Sequence, residues 1–205
     1  MKAKTLALIT TYTIATTLFA APITTQAAVL TFGGSLSGAA EIPPNASPGI
    51  GTATVIINTV AQTMEVEVTF SGLTGDPTGA HIHCCIAQPA NTGVATTLPV
   101  FPGFPTGATS GTYDQILDMT SLASYNPAFV SANGGTALSA EAALFAGIMA
   151  DQTYLNIHTL PSFMGGEIRA FLDPVPLPAG LPLFATGLGA LGLLGWRRKR
   201  KAASA

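Results

Sequence analysis

Positive charge is nearly missing from the interior of this chain. Between Lys4 and Arg197 the only cation is Arg169. Binding a phosphate backbone needs clustered lysine and arginine, so this scarcity excludes nucleic acid as a partner. Charge of either sign is low, at 9% of residues, so few salt bridges are available and packing with backbone pairing must carry stability. Cysteine is limited to Cys84 and Cys85, and tryptophan to Trp196. The sequence has no Gly-rich phosphate loop and no pairing of a nucleophile with a base, which argues against an enzyme.

What is present is concentrated at the ends. Seven of the eight basic residues are Lys2, Lys4, Arg197, Arg198, Lys199, Arg200 and Lys201, and each cluster abuts an apolar stretch. Lys2 and Lys4 precede a threonine-rich apolar run from Leu6 to Ala21 and then small residues. This is the three-part form of a secretory signal peptide over residues 1–27, with cleavage after Ala27. From Leu177 to Trp196 the chain carries no charge. At about 1.5 Å per residue, that stretch reaches roughly 30 Å as a helix, enough to cross a bilayer. Trp196 stands where an interfacial aromatic belongs, and the basic run after it acts as a cytoplasmic stop.

Val175-Pro176-Leu177-Pro178-Ala179, then a Gly- and Leu-rich span, then a basic cluster, resembles the PEP-CTERM sorting signal in its VPLPA form. The resemblance implies that residues 175–205 are read at the inner membrane of a Gram-negative bacterium by an exosortase-type processing enzyme. The tail would be removed or exchanged there, leaving a periplasmic, cell-surface or secreted protein.

Removing both ends leaves residues 28–174, which hold all ten carboxylates against Arg169, a formal charge of −9. This is one ordinary domain, large enough to bury a core without disulfides. Short apolar runs separated by Gly, Pro, Ser and Thr point to an all-β domain, a Greek-key sandwich or barrel. Met64, Val66, Val68 and Phe70 alternate with Glu65, Glu67 and Thr69, which makes 64–70 the clearest strand. Segments 28–36, 52–58, 80–84, 153–159 and 166–172 are also expected as strands, with turns near 59–62 and 161–165. Segment 89–112 is expected to be mostly loop, with a short strand near 95–101. A short helix over 139–150, with Ser139 as N-cap and Glu141 near the positive end of its dipole, is expected before the last two strands. A helical turn or two over 121–130 would be broken by Pro127.

All three histidines lie in two of these strands. Period-two geometry puts His81 and His83 on one face, and if His158 occupies an adjacent strand the three imidazoles can hold copper or zinc. Glu167 and Tyr154 are candidate partners for the remaining ring nitrogens. The alternative is that the imidazoles are satisfied polar groups at a strand edge. Cys84 and Cys85 are compatible with a vicinal disulfide, a pair of thiols, a soft-metal site beside His83 or a route to dimers, and no catalytic role is expected of them. Glu167 and Arg169 share a face of the last strand, opposite Ile168, and are the candidate structural ion pair.

The order of motifs is more specific than any one of them. Ala40-Glu41-Ile42-Pro43-Pro44, Gly79-Ala80-His81-Ile82-His83, Tyr154-Leu155-Asn156-Ile157-His158-Thr159 and Gly165-Gly166-Glu167-Ile168-Arg169 together resemble the CHRD domain first described in chordin. That implies an extracellular all-β module whose molecular activity is mostly unassigned. Cys84-Cys85 departs from the small residues the family tends to have after the histidines. A further similarity is to copper/zinc superoxide dismutase, a Greek-key barrel that also uses a His-x-His strand. Two functions compete on this basis. One is a non-enzymatic envelope or matrix module, without cofactor, that binds a protein or exopolysaccharide. The other is a metal-binding domain, superoxide dismutase-like, using His81, His83 and His158.

Overall fold

The computed structural model describes residues 29–176. The signal peptide, the span from Leu177 to Trp196 and Leu177, Pro178 and Ala179 of the sorting motif lie outside the described residues. Among the described residues no helix is long and apolar enough to cross a membrane. Val175 and Pro176 close the described chain, and the Val175 amide donates to the Thr31 carbonyl at 2.9 Å.

The chain forms β1 (Val29–Ser37), β2 (Ile50–Asn58), β3 (Thr63–Ser71), β4 (Pro77–Cys84), β5 (Gly111–Asp118), α1 (Pro127–Ala132), α2 (Ala137–Met149), β6 (Thr153–Thr159), β7 (Phe163–Phe171) and β8 (Asp173–Pro174). The strands make one antiparallel sheet in the order β4-β6-β7-β1-β2-β3-β5, with β8 beside β1. It is a single curled sheet, a half-barrel, rather than two facing layers.

One half of this sheet, β1-β2-β3-β5, follows strict alternation. In β3 Met64, Val66, Val68 and Phe70 are buried, while Glu65 and Glu67 are half-exposed and Thr69 is exposed, as period two requires. Asn58 Oδ1 accepts from the amides of Val60 and Ala61, which fixes the turn into β3. In the other half, β4-β6-β7, nearly every residue from Gly79 to Cys84 and from Thr153 to Thr159 is buried, whichever way it points. Ala80, Ile82, Leu155, Ile157, Ile168 and Ala170 join the hydrophobic core. The polar residues between them are covered by chain from the β1–β2 and β4–β5 connections.

Three local expectations need correction. The expected loop over 89–112 ends two residues early, at the start of the unforeseen strand Gly111–Asp118, an edge strand that turns only Tyr113 and Leu117 into the core. No regular strand forms over 95–101, where isolated bridges such as Ala80 to Val100 occur instead. Pro127 starts α1 rather than breaking it, because the first helical position has no need of an N–H.

The N-cap of α2 is Thr136, with Ser139 at the third helical position completing a reciprocal capping box. Glu141 therefore falls outside the first turn and is held by the Gln62 side chain at 2.7 Å. From there α2 runs to β4, where Gly147 rests against the sulfurs of Cys84 and Cys85. Those two cysteines are bonded to each other, and among the described residues no free thiol remains.

Candidate metal centre

Cross-strand register builds the site. His83 pairs with Tyr154, which pairs with Phe171, while His81 pairs with Asn156, which pairs with Arg169. These ranks share the sheet face opposite Ile82, Leu155 and Ile168. His158 sits beside Gly79 at a register shift between β6 and β7, the kind of bulge that re-aims a side chain. A Cβ on Gly79 would lie 3.0 Å from His158 Cδ2 and 3.2 Å from His81 Cε1, so glycine leaves room for both rings.

The three imidazoles converge. The centroid of His81 lies 4.8 Å from that of His83 and 4.8 Å from that of His158. One ring nitrogen from each of the three lies within 4.8 Å of the others. Every Nδ1 faces a backbone carbonyl: His81 to Pro99 at 3.0 Å, His83 to Thr92 at 2.7 Å and His158 to Met164 at 2.8 Å. A carbonyl only accepts, so each Nδ1 carries a proton, and the Nε2 of a neutral ring keeps its lone pair, while His158 Nε2 also lies 3.0 Å from Asn156 Oδ1. The Nε2 of His83 is buried with no hydrogen-bond partner.

Burial, and then the neighbouring His83, push His81 down to about 3; burial pushes His83 down to about 4 and lowers His158 as well. Neutral imidazole is the form that ligates metal. A cleft of about 390 Å³ beside Cys84 and Cys85 is separate from the 320 Å³ pocket, lined by Gly79, Leu98 and Met164, onto which the three imidazoles open.

Behind the imidazoles lies a buried polar layer. Arg169, 1% exposed, pairs with Glu41 at 2.8 Å and donates to Asn91 Oδ1 at 2.6 Å. Its guanidinium carbon lies 3.8 Å from the centre of the Tyr154 ring, which in turn stacks on His83 at 4.5 Å. The expected ion pair of Glu167 with Arg169 is therefore corrected: the partner is Glu41, 128 residues away in sequence.

Glu167 instead accepts from Ser47 Oγ at 2.6 Å, from the Thr74 amide at 2.8 Å and from Thr159 Oγ1. It ties the β1–β2 connection to the sheet and does not support a histidine. Tyr154 does contact the cluster, by stacking rather than by hydrogen bonding to a ring nitrogen. Burial pushes the Glu41 carboxyl up by more than Arg169 and the Asn156 amide pull it down. Sequence reasoning missed Glu41, Asn91 and Asn156 as members of this layer. Glu41 and Asn156 stand inside two of the motifs quoted above, and period two puts Asn156 beside His158, whereas no pattern marked Asn91.

The fold and its site define a β domain with a cluster of neutral imidazoles on a covered sheet face. The chain belongs to the CHRD domain family, whose model matches residues 32–172. No curated protein and no solved structure matches it.

Proposed function

We propose that this chain is an exported, non-enzymatic CHRD-domain protein of the bacterial envelope or extracellular matrix, whose binding role runs through a transition metal held by His81, His83 and His158. The observation that carries this reading is the convergence of three ring nitrogens within 4.8 Å, each ring oriented by a carbonyl on its Nδ1. Three points so spaced lie within about 2.8 Å of a common centre, and a closure of less than about 1 Å brings them to zinc–nitrogen distance. Carbonyl partners on the far nitrogen are the usual orienting contacts of metal-bound histidine. Copper and zinc both accept imidazole. Export is supported by the terminal charge pattern and the VPLPA-type motif, with an exosortase-type enzyme at the inner membrane as processing partner. Once outside, an envelope protein or exopolysaccharide is the partner class.

The full chain, carrying a C-terminal tag and expressed in a Gram-negative host with an exosortase, tests both parts. The exported form is expected to lack the tag and, after chelation and dialysis against zinc or copper(II), to retain about one metal per chain. The His83→Ala variant is expected to lose it. Absence of stoichiometric metal in the wild type would sink the metal reading, and an intact tag on exported protein would sink the processing reading.

A further inference from the structure

The Cys84–Cys85 disulfide takes no part in the imidazole centre, and it is not a staple of the fold either. In the chain-entropy account a disulfide stabilises by closing a loop in the unfolded chain, and a bond between neighbours closes almost none. Its role lies elsewhere.

Cys84 is the last residue of β4 and is held there whatever its sulfur does. Its amide donates to the Gly93 carbonyl at 3.2 Å, its carbonyl accepts from Thr92 Oγ1 at 2.9 Å, and it pairs with Thr153 across the sheet. Cys85 lies beyond the strand and is half-buried, whereas Cys84 is 5% exposed. On one side the sulfurs meet the backbone of α2, where a Cβ on Gly147 would lie 2.7 Å from Cys85 Sγ. On another opens the cleft of about 390 Å³, walled by Val94, Asn126, Phe129, Ala132 and Asn133. Such a volume admits a small molecule, and Cys85 is the more accessible of the two cysteines that line it.

The surroundings also suit two thiols. The Thr153 hydroxyl, on the residue directly across from Cys84, is buried with no hydrogen-bond partner. The Ala143 carbonyl lies 3.7 Å from Cys85 Sγ. A disulfide sulfur has no proton to give that carbonyl, and a thiol has one.

We propose that Cys84–Cys85 is a thiol–disulfide exchange site that takes two electrons from a dithiol entering through this cleft. One sulfur of the dithiol bonds to Cys85 Sγ as the bond between the two cysteines breaks, and its proton passes to the Cys84 sulfur. The second sulfur of the dithiol then closes on the first, releasing Cys85 as a thiol with the remaining proton. The dithiol ends oxidised to a disulfide and the cysteine pair ends reduced. None of this depends on a metal at the histidines.

The oxidised full-length chain, folded and metal-free, is mixed with excess dithiothreitol, quenched at intervals with iodoacetamide and mapped by mass spectrometry. Opening is expected at a rate proportional to dithiothreitol, with Cys85 alkylated before Cys84. Ala132→Trp, at an exposed position on the cleft wall, is expected to slow opening by about 10-fold through lost access. Ala128→Trp, exposed on the same wall, serves if that variant does not fold. A parallel arm with reduced thioredoxin separates the sources: opening faster than by dithiothreitol at equal concentration assigns a protein dithiol, and slower opening a small one. A rate independent of dithiothreitol, as for a bond reached only by unfolding, would overturn the proposal. So would alkylation of Cys84 first, or an undiminished rate in the tryptophan variants.

Discussion

The two halves of the sheet solve the same problem differently. In β1-β2-β3-β5 one face is apolar and packed, while the other carries Glu65, Glu67, Asp114 and a rank of hydroxyls in register, Ser35, Thr52, Thr69 and Thr112, facing outward. Among these residues each polar group can be hydrated. In β4-β6-β7 the alternation persists, but the polar face is roofed by the β1–β2 and β4–β5 connections, and His81, His83, Asn156, Glu167 and Arg169 are all buried. Each of those groups must find a partner inside, or its desolvation is uncompensated. What differs between the halves is the cover, so a polar residue that is structurally indifferent in one half becomes a member of a network in the other.

The largest break in that contrast comes from removing one partner of the buried pair. Arg169→Met leaves Glu41 enclosed without its counter-ion and is expected to destabilise the domain by about 3–5 kcal/mol. Glu67→Gln, on the open half, is expected to stay within about 0.5 kcal/mol. Paired urea titrations of the two variants check this, and similar losses in both would erase the distinction.

A smaller effect concerns pH. In the metal-free chain the three imidazoles titrate below the ordinary histidine value of 6.5, His81 at about 3 and His83 at about 4. The unfolded state then binds more protons in this window, so stability is complete above about pH 6.5 and is lost progressively as pH falls toward 4. Glu41, whose carboxyl is raised, works in the opposite sense but is one group against three. Melting temperatures between pH 8 and pH 4 are expected to fall, and the fall should be smaller in a variant lacking His81 and His83. An equal fall in both would place the acid sensitivity elsewhere.

Much of the open half was legible because period two is enough to define it, as Met64 to Phe70 illustrates. In the covered half the alternation of His81-Ile82-His83 and of Glu167-Ile168-Arg169 was equally readable, and it placed the right side chains on one face. What could not be read was the roof. Glu41 meets Arg169 because Ser37 pairs with Arg169 between β1 and β7 and the 3-10 turn Gly38–Ala40 follows directly, a contact no local pattern encodes. For the same reason sequence proximity points Glu167 to Arg169, whereas its carboxylate is satisfied by Ser47, Thr74 and Thr159 from three different segments. The edge strand Gly111–Asp118 was missed because only two of its side chains reach the core and its flank is rich in Gly, Pro and Thr. Gly166 shows the limit in another way. Its motif was visible, but the reason for the glycine, the close approach of Glu41 and Asn156, exists only in three dimensions.

The proposal that matters most is that His81, His83 and His158 on the covered half hold a metal. Thermal unfolding of the full-length chain, with and without zinc at neutral pH, tests it most directly. Zinc at about 100 times its dissociation constant adds about 2.7 kcal/mol, which corresponds to a rise of roughly 5–10 °C for a domain of this size. The account predicts that rise in the wild type and its loss in His83→Ala. No rise in the wild type, or the same rise in both, would contradict it.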